Sequence, residues 1–262
     1  MYHSISFELG GAPITIQFFE LWIGIGLIFA IIELDIEVQH FSKKTADTLF
    51  MIATSSMIVG IMGANRATIL LLSSSLWETG KIHSSYSGFS FLPGLAIGAV
   101  TFALIARWYR LPLLTSFNSL IPPLAIAHAF GRLGCFFGGC CFGAPTKCPL
   151  AIVFPSTSAA SKTFGYPIRV HPTQLYEAVL LFGIWFVTKN IVQREHRVYT
   201  YLLAYGTGRF SLEFIRGDQR GTIPVFEFLS PSQLISIGMV AAGVSLLLWN
   251  KTVQIDPAEE ST

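Results

Sequence analysis

The sequence predicts an all-α, polytopic membrane protein with about seven transmembrane helices around a central, lipid-accessible cavity. Three observations carry that expectation. The chain is 52% hydrophobic but only 12% charged over 262 residues, against roughly 25% charged in a soluble domain. Its mean hydropathy is +0.58. Apolar stretches close to the roughly 20 residues needed to cross a bilayer recur along its length. The formal net charge of +2 and the lack of a basic run argue against nucleic acid as a partner. No glycine-rich phosphate loop or dinucleotide fingerprint is present, and no cofactor is expected.

The apolar stretches fall at about 13–34, 47–69, 88–108, 115–136, 174–193, 198–216 and 229–249. The third, "FSFLPGLAIGAVTFALIARWYRL", and the seventh, "LSPSQLISIGMVAAGVSLLLW", are the clearest. Pro122–Pro123 interrupts the fourth, which predicts a broken helix there. Broken helices are tolerated only where protein or water covers the freed backbone, so an internal cavity is expected near residue 132.

The first Lys or Arg is Lys43, so the expectation is an uncleaved N-terminus leading into the first span. Loops after odd-numbered spans, with the C-terminus, hold Lys43, Lys44, Arg107, Arg110, Lys189, Arg194, Arg197 and Lys251. The other side holds Lys81, Lys147, Lys162, Arg169 and Arg220. The bias predicts an N-terminus outside and a cytoplasmic C-terminus. Residues 144–170, rich in Pro, Ser and Thr, are expected to form an ordered extracytoplasmic flap within a single transmembrane domain, 1–262. The tail "QIDPAEEST" is expected to be disordered.

Four arginines, Arg66, Arg132, Arg209 and Arg216, lie within or at the edge of spans. Each costs roughly 2.5–3.5 kcal/mol near the bilayer centre, so carboxylates, water or an anionic ligand must offset them. In "GRFSLEFIR" (208–216), Arg209, Glu213 and Arg216 stand at i, i+4 and i+7 and would share one helix face. That pattern reads either as an internal salt bridge or as an arginine pair that grips a phosphate, a task suited to guanidinium. In "HPTQLYE" (171–177), Pro172 suits a first helical turn, with His171, Gln174 and Glu177 along one side. The row is either a polar helix entry or a cavity-facing set in which His171, followed by Glu177, serves as the base.

Cys135, Cys140, Cys141 and Cys148 match no standard zinc spacing, and no metal is expected. They read as packed core thiols or as a disulfide joining Cys140 or Cys141 to Cys148. His128 reads as a satisfied buried histidine.

Six ordered segments resemble the prolipoprotein diacylglyceryl transferase family: "VGIMGANRATILL", "GFSFLPGL", "GRLGCFFGGCCFG", "RVHPTQLYEA", "GRFSLEFIR" and "PSQLISIGM". The resemblance implies a seven-span enzyme of the bacterial inner membrane. Such an enzyme moves the diacylglyceryl group of phosphatidylglycerol onto a lipobox cysteine thiol of a prolipoprotein and releases glycerol phosphate. It also implies that Arg132 and Arg209 contact the lipid phosphate, with Glu213 and Arg66 in support and Gly143 closing the signature. The pattern departs from the family at several positions. Leu92 stands for the motif histidine, Cys135 and Gly138 for signature asparagines, Cys140 for its glutamate and Trp22 for the first-span tyrosine. The implied function is phospholipid-dependent transfer to a prolipoprotein or another nucleophile. The alternative is a non-enzymatic phospholipid-binding or lipid-moving protein on the same scaffold.

Overall fold

The computed structural model describes residues 4–9, 12–64, 91–218 and 229–255. The protein is mostly helical, but it opens on a β-hairpin rather than on the first span. Strands β1 (Ser4–Leu9) and β2 (Ala12–Gln17) pair antiparallel, with Ser4 opposite Gln17 and Leu9 opposite Ala12. The alternation in "SISFEL" and "TIQ" is a period-2 signal, and a helix cannot use it. The all-α expectation is corrected to that extent, and the first helix starts at Phe18 rather than near residue 13.

Among the described residues, seven long helices overlap the seven expected apolar stretches. They are α1 (Phe18–Val38), α2 (Lys43–Ala64), α3 (Phe91–Trp108), α4 (Leu113–Phe137), α6 (Thr173–Asn190), α7 (Arg197–Glu213) and α8 (Pro231–Ile255), with a short α5 (Ala159–Phe164) between α4 and α6. Among the described residues, three stretches are long and apolar enough to cross a membrane: Lys43–Gly63, Leu113–Phe137 and Pro231–Trp249. The side chains are distributed as a bilayer solvent requires. Ile32, Met62, Leu104, Val179 and Trp249 are exposed, whereas Glu33, Gln174, Glu177, Arg209 and Ser236 are buried. In water that distribution would be inverted.

Pro122–Pro123 does not break α4, which runs continuously through both prolines. The two missing N–H donors are tolerated because tertiary packing holds the helix there: Ile121, Ala125 and Ala129 are buried against Leu181, Ile184, Tyr201 and Tyr205.

The chain forms two compact units. One comprises Leu34–Leu120. Its core joins Leu34 and Val38 to Leu49, Ile52 and Ala53 of α2 and to Phe102 and Ala106 of α3. Helices α2 and α3 approach closely at Gly60, where a Cβ would stand 2.9 Å from the Gly94 carbonyl oxygen. Small residues four apart, here Gly94 and Gly98, allow such backbone contact in membrane helices.

The other unit comprises Met1–Glu33 and Ile121–Thr262. Aromatic rings knit the start of α1 to the end of α4: Trp22 stacks on Phe130 (5.9 Å) and Phe137 (5.3 Å), and Phe29 on Phe130 (5.1 Å). Residues 144–170 are ordered. Strands β3 (Ile152–Val153) and β4 (Arg169–Val170) pair antiparallel. Ser158 caps α5 by accepting from the Ser161 N–H at 3.2 Å, and Gly165 ends it at φ 81°. Phe142, Phe154, Ala160 and Val170 form a small core beneath.

Candidate active site

The α4, α6 and α7 helices bring four polar residues to one point. Arg132 of α4 places Nη2 2.9 Å from Oε1 of Glu177 in α6. The same oxygen accepts the Tyr205 hydroxyl at 2.8 Å and lies 3.9 Å from Nε of Arg209, both from α7. Arg209 pairs in turn with Glu213 one turn on, Nη2 to Oε2 at 2.7 Å, and donates to the Ser232 hydroxyl of α8 at 3.0 Å. The glutamate is only 1% exposed. An ionised carboxylate so buried requires paired charge, and two guanidinium groups supply it.

The cluster leaves donors over. Each guanidinium carries five N–H groups and no acceptor. Nη1 of Arg209 is buried and has no hydrogen-bond partner among the described residues, and neither has Oε2 of Glu177. An inward donor without a partner is costly in a protein interior and is offset when an anion supplies oxygens.

Arg216 breaks from the expected helix face. The α7 helix ends at Glu213, and Arg216 lies beyond it, forked onto Asp218 through Nε and Nη2 at 2.7 and 2.6 Å. The i, i+7 spacing therefore does not hold in space, because the helix stops between the two arginines. Gly143 sits where three backbone segments cross. Its N–H donates to the His171 carbonyl at 2.9 Å, and the residue bridges antiparallel to Arg216. A Cβ on Gly143 would stand 2.5 Å from the His171 Cβ and 2.8 Å from the Ile215 carbonyl oxygen, so only glycine fits.

His171 precedes α6, with Pro172 as the N-cap residue, and its Nδ1 meets the Tyr176 hydroxyl at 3.3 Å. Gln174 and Glu177 occupy the buried face of α6. His128 is buried, with Nδ1 3.3 Å from the Tyr201 hydroxyl and its ring against Tyr205. Arg66 lies outside the described residues. Leu92 falls in the first turn of α3.

None of the four cysteines forms a disulfide, so of the two readings the free, packed thiols fit and the bridge to Cys148 does not. Cys135, Cys140 and Cys141 instead gather, with their sulfurs all within 4.8 Å of one another. The turn that gathers them passes through Gly139 at φ 66° and Cys141 at φ 62°. A non-glycine residue in that region must be held by its surroundings. The Cys141 thiol is held well below the ordinary thiol range by hydrogen bonds from Cys135 and Cys140, and then by the charges of Arg132 and Arg216.

Sequence reasoning missed Tyr205, Ser232 and Asp218. Tyr205 stands one turn before Arg209, and that i, i+4 spacing was the available signal. Ser232 comes from a distant segment and carried none. Hollows of about 590 and 600 Å³ are lined by Asp35, Phe41, Lys43 and Asp47 in one unit and by Leu180, Tyr199, Leu203 and Thr207 in the other, and Arg132 lines neither.

Comparison with known proteins gives a consistent picture. The family model described as prolipoprotein diacylglyceryl transferase matches residues 4–249. A Clostridium tetani protein named phosphatidylglycerol–prolipoprotein diacylglyceryl transferase is 31% identical over 250 residues, covering 92% of this chain and 94% of that protein. A Clostridium perfringens protein, transferase 2 of the same name, is 32% identical over 240 residues, covering 87% and 89%.

Proposed function

Because the chain belongs to the prolipoprotein diacylglyceryl transferase family, we propose that it moves the diacylglyceryl group of phosphatidylglycerol, or a related anionic phospholipid, onto the cysteine thiol of a prolipoprotein. The observation that carries this reading at the site is the convergence of Arg132 and Arg209 on Glu177, with Nη1 of Arg209 left without a partner. Glu177 and Glu213 hold the guanidinium groups in place, and their remaining donors bind the phosphate. Arg66 is proposed to assist, as the family resemblance implies. Arg216 and Gly143 support the site from the loop crossing.

In the reaction the acceptor thiol loses its proton to a base. The sulfur then attacks the glyceryl carbon that carries the phosphate. A C–S bond forms, the C–O bond to phosphate breaks, and glycerol phosphate leaves with the electron pair. Donors fixed on the phosphate stabilise the charge that grows on it, which is where preorganised electrostatics contributes most. His171 is the proposed base, because Leu92 can accept no proton. A role for Glu177 as base would compete with its ties to Arg132 and Tyr205. The proposed setting is the bacterial inner membrane, with seven spans forming one transmembrane domain around a central cavity. The N-terminus and the 144–170 flap would lie outside, and the C-terminus in the cytoplasm.

The test uses the purified full chain in phosphatidylglycerol micelles, with and without a lipobox peptide. Glycerol phosphate released only with the peptide is the expected result. No release under either condition would overturn the transferase reading and favour a lipid-binding role. Release that persists in His171→Ala would remove His171 as the base.

A further inference from the structure

We propose that Cys135, Cys140 and Cys141 form a three-sulfur site for a soft d10 cation, with Cu(I) preferred to Zn(II). The geometry is close to what such a site needs. Three sulfurs on one metal at about 2.3 Å stand roughly 4 Å apart in a trigonal plane, and the three Sγ atoms here already lie within 4.8 Å of one another. Small side-chain rotations bring them onto a common ion. One of these releases the weak contact from the Cys140 thiol to the Cys135 carbonyl oxygen, now 3.7 Å long.

The scaffold around the sulfurs is built rather than incidental. Thr173 Oγ1 donates to the Cys141 carbonyl at 2.7 Å, and Gln174 Nε2 to the Cys140 carbonyl at 2.6 Å. Both donors are buried at the start of α6. They clamp the two adjacent cysteines from outside, and the left-handed backbone at Cys141 turns its side chain accordingly. Metal sites depend on this kind of outer support to hold their ligands in place.

Ligand number and charge choose the ion. The group contains three sulfurs and no fourth histidine, cysteine or carboxylate among the described residues. Structural zinc sites take four protein ligands, whereas thiolate sets favour the softer monovalent copper ion. Three thiolates with Cu(I) leave a charge of −2. Binding releases to solvent whatever protons the three sulfurs still carry and involves no change in oxidation state of sulfur or metal.

The experiment loads reduced, detergent-purified full-length protein with Cu(I) from a chromogenic chelator complex, or with Zn(II), and measures retained metal after gel filtration. One Cu(I) per chain is expected, with Zn(II) at least about tenfold weaker. Cys135→Ser and Cys141→Ser should each weaken Cu(I) binding by about tenfold or more, while Cys148→Ser leaves it unchanged. Maleimide labelling of the wild type covers the event that a variant misfolds: Cu(I) should protect Cys135, Cys140 and Cys141 and leave Cys148 reactive. No stoichiometric Cu(I), retention unaffected in both variants, or labelling unchanged by Cu(I) would overturn the site. Zn(II) bound as tightly as Cu(I) would overturn the choice of ion. The readout is metal retention rather than transfer, so its failure leaves the transferase reading standing.

Discussion

At Arg132, Glu177, Arg209 and Glu213, side-chain charges meet in the protein interior. At Gly143, His171 and Arg216, the backbones meet instead, and the Arg216 side chain turns away to Asp218. Both regions draw on the same short motifs, since Arg209 and Arg216 belong to one nine-residue stretch and His171 and Glu177 to another. The first region holds charged donors over a buried carboxylate. The second routes three chain segments past one another. Residues of one motif can thus divide between chemistry and chain path, and substitutions should separate the two.

The largest stability effect is expected at the shared carboxylate. Glu177→Leu leaves Arg132, Arg209 and the Tyr205 hydroxyl without their common partner, and breaking such a buried pair costs about 3–5 kcal/mol. Denaturant or thermal unfolding in detergent checks this, and a loss below about 1 kcal/mol would mean that the cluster is solvated. At Glu213 the comparison is between replacements. Glu213→Gln keeps a polar oxygen beside Arg209 and should be more stable than Glu213→Leu by about 1–3 kcal/mol. Equal melting temperatures would show that the Arg209–Glu213 pair is not a buried network.

The chain crossing should respond to volume rather than charge. Gly143→Ala forces a Cβ against His171 and Ile215 and should cost about 1–3 kcal/mol as the backbones shift. The smallest effect, of opposite sign, is expected at Gly131 in α4, where a Cβ would meet nothing within 4 Å. Gly131→Ala should be neutral or stabilising by up to about 1 kcal/mol, from helix propensity alone. Equal losses at Gly143 and Gly131 would erase the contrast between a crossing and an open helix face.

The helices were legible because each long apolar stretch has the length of a span, and hydrophobicity over that length leaves few alternatives. The hairpin at 4–17 was hidden by the apolar run that follows it, which drew the first span too far forward. Pro122–Pro123 was overread: a proline signal is local, whereas the packing of Ala125 and Ala129 that carries α4 through it is tertiary. At the site, Arg132, Glu177, Arg209 and Glu213 were legible as charges out of place. Their arrangement was not, because Glu177 reads locally as a partner of His171 and meets Arg132 only in the fold. The thiol cluster was illegible for the same reason, since the turn at Gly139–Cys141 sets which sulfurs meet.

The most direct test of the phosphate grip compares Arg132→Lys, Arg209→Lys and Arg216→Lys in phosphatidylglycerol-dependent transfer to a lipobox peptide. Lysine keeps the charge and loses the fork. The expected result is a fall of about tenfold or more in kcat/KM for Arg132→Lys and Arg209→Lys, the value of one charge-assisted hydrogen bond. Arg216→Lys, whose fork serves Asp218, should stay within about threefold of wild type. Wild-type turnover in Arg132→Lys and Arg209→Lys, or the larger loss in Arg216→Lys, would contradict the account.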